Sequence, residues 1–214
     1  MTSVAALLEA RAGDDRPGLR SADDGRAWTW REVVAECAAR ASWMAGRRGA
    51  ERPVHVGVLL DNLPELVFLL GGAALSGSVI VALNTTRSAA ELAGDAERAD
   101  CDLVVTQPRY AERAAALGLP VLDADALRAG PAPVEGAPLP DTSAIGPATL
   151  LMLSFTSGTS GRPRAVRVTH RKVAVPGSPR PSPTRSSSAG SCGTAGAPKT
   201  RCGGGPDATS PTAG

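Results

Sequence analysis

The chain has 214 residues, a formal charge of +2, 43% hydrophobic and only 3% aromatic residues. That length holds one sizeable domain or two small ones, with a core built mainly of Ala, Val and Leu. The near-neutral balance, without clustered basic residues, gives no reason to expect a nucleic-acid partner.

The N-terminal stretch MTSVAALLEARAGDD lacks a basic region and meets Glu9 early, so it predicts no secretory signal. A cytoplasmic protein with reduced thiols is expected, at most peripheral to a membrane. Cys37, Cys101, Cys192 and Cys202 form no CxxC pair, and His55 and His170 stand far from them. No zinc site is expected, and Cys37 and Cys101 read as small buried apolar residues.

Three helix starts share one pattern. Thr29 precedes Glu32, Asn62 precedes Glu65 and Ser88 precedes Glu91, each a hydroxyl or amide with an acid three residues on. After Thr29, Val33, Val34, Cys37, Ala38, Ala41, Met44 and Ala45 keep the helical period, and Gly46 or Gly49 ends the helix. Trp28 and Trp30 read as packing at its start, and residues 47–52 as a solvated helix end. Asp61, Asn62 and Glu65 read as capping residues rather than an acidic site.

Strands are predicted at 55–60 (HVGVLL), 78–83 (SVIVAL), 102–106 (DLVVT) and 120–124 (PVLDA). Residues 66–83 carry no charge over a length that touches the minimum for a membrane span. Gly71, Gly72, Ser76, Gly77 and Ser78 divide them instead into a Leu-rich helix and a buried strand. No integral membrane span is expected. Alternating strands and helices predict an α/β fold, a parallel sheet with helical crossovers. Residues 129–147, rich in Pro, Gly and Ala, read as a linker. Further strands follow at 149–155 (TLLMLSF) and 165–170 (AVRVTH).

Beyond about Val173 the pattern stops. Residues 175–214 contain no Leu, Ile, Met or aromatic residue, and Gly, Pro and Ser make up more than half of them. So little apolar surface cannot offset an ordering entropy of roughly 1–2 kcal/mol per residue, which predicts disorder. A native tail and a frameshift in a GC-rich gene both fit, and the abrupt break favours the frameshift. The expected division is a partial domain over 1–174 and a low-complexity tail over 175–214.

Between the last two strands lies TSGTSGRPR, residues 156–164. Glycines allow close backbone approach, successive N–H groups form a nest for phosphate oxygens, and Arg164 adds a charge-assisted contact. A flexible loop without a ligand is the plain alternative. The GK[ST] ending of the common P-loop is absent, and a strand rather than a helix follows. A small-molecule kinase or a hydrolase would need that Lys or a Ser-His-Asp set, and neither is found.

The longer string FTSGTSGRPRAVRVTH closely resembles the phosphate signature of the AMP-forming, adenylate-forming superfamily: an aromatic, TSG[TS][TS]GxPKG[VA], then a strand ending in [TS]H. The region from WTWREVV through DNLPELVFLL to ALNTTRSAAEL and CDLVV is similar to the N-terminal part of that family, so the resemblance covers about 25–174. It looks nearest to the fatty-acyl-CoA synthetase branch. The resemblance implies a truncated N-terminal domain of the adenylate-forming enzyme fold. It implies a ligase that joins a carboxylic acid, a fatty acid by branch, to ATP with Mg²⁺, releases pyrophosphate, and passes the acyl group to coenzyme A. Thr156, Ser157, Gly158, Thr159, Ser160 and Gly161 would hold the β- and γ-phosphates. Arg164 stands where the family has Lys, and Ala165 where it has Gly. His170 matches the terminal His and reads as structural.

Later motifs of the family, an aromatic-Gly-x-Thr-Glu segment, a ribose-binding Asp and a C-terminal Lys, are not found here. APKTRCGG at 197–204 echoes the last only by chance. Two functions therefore stand side by side: an acyl-CoA ligase present as an incomplete fragment, or a catalytically inactive nucleotide-binding remnant.

Overall fold

Why the strands stack as they do follows from their neighbours in sequence. The computed structural model describes residues 2–47, 52–128, 139–156 and 164–174. A short helix α1 (Val4–Glu9) leads to a two-stranded antiparallel hairpin, β1 (Pro17–Arg20) and β2 (Ala27–Thr29). Helix α2 (Trp30–Ala45) starts on a capping box. The Thr29 hydroxyl accepts from Glu32 N–H, and the Glu32 carboxylate accepts from Thr29 N–H at 2.6 Å. Gly46 closes it as predicted, while Gly49 lies outside the described residues, as does most of the expected solvated end at 47–52.

From there strand and helix alternate. They run β3 (His55–Leu59), α3 (Pro64–Ser76), β4 (Val79–Ala82), α4 (Ala89–Arg98), β5 (Leu103–Thr106), α5 (Ala111–Ala115), β6 (Val121–Asp123) and α6 (Ala124–Arg128). Strands β7 (Leu150–Thr156) and β8 (Arg164–Thr169) and helix α7 (His170–Ala174) complete the fold. The main sheet has the order β6-β5-β3-β4-β7-β8. All its pairings are parallel except β7–β8, an antiparallel hairpin at the edge.

The sheet is covered on both faces. Val56, Val58, Ile80, Leu103, Val105 and Leu151 pack against Leu69, Ala73 and Ala74 of α3. On the other face Leu59, Val79, Val81, Val104 and Leu153 meet Leu92 of α4 and Ala114 of α5. Covering both faces explains why β3, β4 and β5 read as unbroken apolar runs. The charge-free 66–83 run divides as expected at Gly77, which holds the left-handed conformation (φ 72°) between α3 and β4. Among the described residues no helix is long and apolar enough to cross a membrane.

A third layer of side chains joins α1, β2, α2 and α3. Trp28 meets Phe68 edge to face, with ring centroids 5.6 Å apart, amid Val33, Cys37, Ala41 and Leu75. Helices α2 and α3 approach so closely that a Cβ on Gly71 would overlap Cys37 Sγ, and one on Gly72 would lie 2.6 Å from Arg40 Cβ. Burial pushes the Cys37 thiol up to about 12, so it behaves as an apolar group.

The reading of Asn62 and Glu65 as a capping pair is corrected. Leu63 is the N-cap, without a side-chain bond, and Pro64 opens α3. Glu65 is fully buried and grips Arg40 of α2: Nε donates to Oε1 at 2.8 Å and Nη2 to Oε2 at 2.7 Å. Arg40 Nη1 also donates to Glu36 at 3.0 Å. The Ser88–Glu91 pair behaves as predicted and caps α4 with a second capping box.

Candidate phosphate-binding site

Strand order decides where a ligand can approach. Strand β4 lies to one side of β3 and β5 to the other, so the connections reverse beside β3. In open parallel sheets the crevice beyond the carboxyl ends of strands at such a reversal takes ligands. Here side chains tie the neighbouring strand exits together. Asp61, just after β3, accepts hydrogen bonds from the Tyr110 hydroxyl (2.7 Å), Gln107 Nε2 (3.0 Å) and Arg109 Nη1 (2.7 Å). Its own N–H donates to Gln107 Oε1 at 2.9 Å. The Tyr110 hydroxyl above all, then Gln107 and Arg109, holds the Asp61 carboxyl below the ordinary range. Asp61 is thus neither an α3 cap nor part of an acidic site. It ties the exits of β3 and β5 together.

The turn after β4 is fastened too. Asn84 Oδ1 accepts from Thr86 N–H and from the Thr86 hydroxyl, both at 2.9 Å. Arg113 donates to the carbonyls of Thr85 (2.6 Å) and Arg87 (3.1 Å) and stacks on Tyr110. Sequence reasoning missed this clamp, because residues 28 and 26 positions apart carry no shared local pattern.

The β7–β8 hairpin stands at the same edge of the sheet. β7 runs parallel to β4 with Ala82 beside Ser154, so Thr156 ends the strand level with Asn84. Thr156 faces Arg164 across the antiparallel register, and both are exposed. The chain between them carries Ser157, Gly158, Thr159, Ser160 and Gly161, all of which lie outside the described residues. What the structure places is the pair that brackets them, at the carboxyl edge of the parallel strands. Among the described residues Arg164 has no carboxylate partner. Arg40, Arg52, Arg87 and Arg98, in contrast, are each ion-paired. A hydroxyl and a guanidinium without a carboxylate partner among the described residues, on one strand pair, suit an anion.

A metal ion is another matter. Among the described residues no group of three or more His, Cys, Asp or Glu could hold one. The Thr156–Arg164 pair offers a cation nothing but a hydroxyl beside a positive charge, so these residues do not fit magnesium by themselves. At the far end of β8, His170 N–H donates to Thr149 O at 3.1 Å and Arg171 N–H to Pro147 O at 2.9 Å. The His170 ring is fully buried, and neither nitrogen has a hydrogen-bond partner among the described residues. Burial lowers its pKa. This agrees with a structural role for His170, pinning the hairpin.

Comparison with known proteins gives this geometry its setting. The chain matches the AMP-binding enzyme family over residues 8–178. It is 41% identical to a steroid-22-oyl-CoA synthetase of Rhodococcus jostii (strain RHA1), over 81% of this chain and 32% of that protein. It is 43% identical to a medium/long-chain fatty-acid–CoA ligase, FadD17, of Mycobacterium tuberculosis, over 70% of this chain and 30% of that protein. The chain therefore spans about a third of the length of the curated relatives it matches. Its fold superposes on the crystal structure of the N-terminal domain of FACL13 from Mycobacterium tuberculosis with a TM-score of 0.66. That match is 23% identical and covers 79% of this chain and 45% of that one. With a doubly covered α/β sheet, a hairpin bracketing TSGTSGRPR at the carboxyl edge of its parallel strands and a match across most of its length, this chain belongs to the AMP-binding enzyme family.

Proposed function

We propose that the protein is an AMP-forming acyl-CoA ligase, and that residues 1–174 form part of its N-terminal domain. Residues 175–214 are, in this reading, a low-complexity tail of frameshift origin. The observation that carries the functional reading is the Thr156–Arg164 pair, which brackets the phosphate signature at the carboxyl edge of the sheet. Backbone amides and hydroxyls of Thr156, Ser157, Gly158, Thr159, Ser160 and Gly161 hold the β- and γ-phosphates of ATP. Arg164 supplies the charge that Lys supplies elsewhere in the family.

The chemistry has two steps. A substrate carboxylate oxygen attacks the α-phosphorus, the bond to the bridging oxygen breaks, and pyrophosphate leaves. The thiol sulfur of coenzyme A then attacks the acyl carbon, AMP leaves, and a thioester forms. Charge grows on the phosphates in the first step, and donors fixed in advance stabilise it. Magnesium, where the family uses it, would neutralise phosphate charge, and its protein ligands lie elsewhere than the described residues. The substrate class in this reading is an apolar acid of steroid or fatty type, which the likeness to a steroid-22-oyl-CoA synthetase and to a fatty-acid–CoA ligase supports, although a sulfoacetate–CoA ligase is also among the relatives.

ATP–pyrophosphate exchange tests the reading. The expected result is exchange that depends on an added acid, compared among octanoate, palmitate and a steroid carboxylate. ATP binding without exchange favours an inactive remnant. No change in the NMR signals of Thr156 and Arg164 at saturating ATP overturns the site itself.

A further inference from the structure

One buried carboxylate stands behind the bracket of the phosphate loop. Asp95, on α4, has its side chain 1% exposed and meets two arginines. Arg98 Nη2 donates to its Oδ1 at 2.6 Å. Arg87 Nε stands 3.0 Å from its Oδ2, an ion pair without a hydrogen bond, and Arg87 also pairs with Glu91 at 3.4 Å. A buried carboxylate is costly unless such partners hold it, so the arrangement fixes both guanidinium groups as much as the acid.

Each arginine reaches a different part of the edge that carries Thr156. Arg98 lays its guanidinium over the Phe155 ring, 5.8 Å from the centroid. Phe155 directly precedes Thr156 at the end of β7 and pairs with Ala165 on β8. Gly94 leaves room for this reach, since a Cβ there would lie 3.2 Å from Arg98 Nη1. Arg87 belongs to the turn after β4, where Arg113 holds the carbonyls of Thr85 and Arg87 and where Asn84 stands level with Thr156. The Asp95 carboxylate is the shared anchor of the β7 end and of the turn beside it.

We propose that Asp95 is a positioning residue for the phosphate loop, fixing through Arg98 and Arg87 the place at which β7 delivers Thr156. Being buried, it acts through the two arginines rather than on a ligand. The functional side of this proposal rests on the phosphate reading of residues 156–164. A nest of amides and hydroxyls binds an anion well when its first member is already in place, because donors aligned in advance need no reorganisation.

The full ¹⁵N-labelled chain, with and without ATP, tests this. R98Q removes the charge over Phe155 at a half-exposed position, so its circular dichroism and melting temperature should stay near wild type. Without ATP, the signals of Thr156 and of Arg164 across the strand pair should move in R98Q. With ATP, its affinity measured by calorimetry should fall about fivefold, in the range of couplings carried by packed neighbours. R98K keeps the charge beside Asp95 and should recover most of that loss. D95N should move the same signals together with those of Thr85 and Arg87, and should melt earlier. A merely structural Asp95 would lower the melting temperature in D95N and leave the ATP affinity of R98Q untouched. That result, or unmoved Thr156 and Arg164 signals in both variants, overturns the proposal. A wild-type chain that does not bind ATP overturns the phosphate reading instead, and the ligand-free signals still decide the positioning.

Discussion

The α2–α3 contact and the β7–β8 hairpin handle arginine in opposite ways. Between the helices Arg40 is buried and gripped by two carboxylates, with glycines letting the backbones close on it. On the hairpin Arg164 is exposed and unpaired among the described residues. The first arginine is held for the fold, and the second is left available. A residue type alone does not separate structure from function; its partners do.

The largest test of this contrast is Glu65→Ala. It strands the buried Arg40 guanidinium with only Glu36 beside it and should cost about 3–5 kcal/mol. Replacing both partners, R40M with E65L, should recover most of that loss, because an apolar pair needs no compensation there. Chemical denaturation reads both, and a small loss in E65A would mean that water reaches the pair. Next in size is Gly71→Ala. Its Cβ would meet Cys37 Sγ, so α3 must shift, at about 1–3 kcal/mol. C37A removes that sulfur and should soften the effect, which a double-mutant cycle would detect as coupling. Arg164→Gln should do the reverse of both. Stability should hold, while ATP affinity measured by calorimetry falls about tenfold, the worth of one charge-assisted contact.

The two regions also differ in how far sequence could reach them. Capping boxes at Thr29 and Ser88 were legible because their partners are three residues apart. Glu65 was misread for the same reason: local spacing suggested a cap, while its true partner is 25 residues away in α2. Asp61 shows the same failure, since Gln107, Arg109 and Tyr110 claim it from beyond β5. The β1–β2 hairpin escaped notice because its strands are three and four residues long and the pairing slips between Pro17 and Leu19. The family's loop signature was legible because the phosphate nest proposed for it would need contiguous backbone. Its bracketing by an antiparallel pair was not, because strand direction depends on tertiary pairing rather than on the run of residues.

The smallest effect expected is a pH dependence rooted in His170, at the far end of β8. Its ring is buried without a hydrogen-bond partner among the described residues, and burial holds its pKa below the ordinary 6.5. Arg167 on β8 and Arg171 and Lys172 on α7 add like charge to these elements, while Glu9 of α1 is bonded to Thr142. In the unfolded chain the imidazole takes up its proton near pH 6.5, and in the folded chain only at lower pH. Between those values the unfolded state binds more protons, so stability is full above pH 6.5 and declines as pH falls below it. Depressed carboxylates such as Asp61 and Glu91 act further down, and the Cys37 and Cys101 thiols far above, so the window belongs to His170. Thermal melting just below pH 6.5 should show this decline in the wild type and a flatter profile in H170L. An equal slope in both would mean that the His170 imidazole is protonated as readily in the folded chain as in the unfolded one, and that its burial does not set this window.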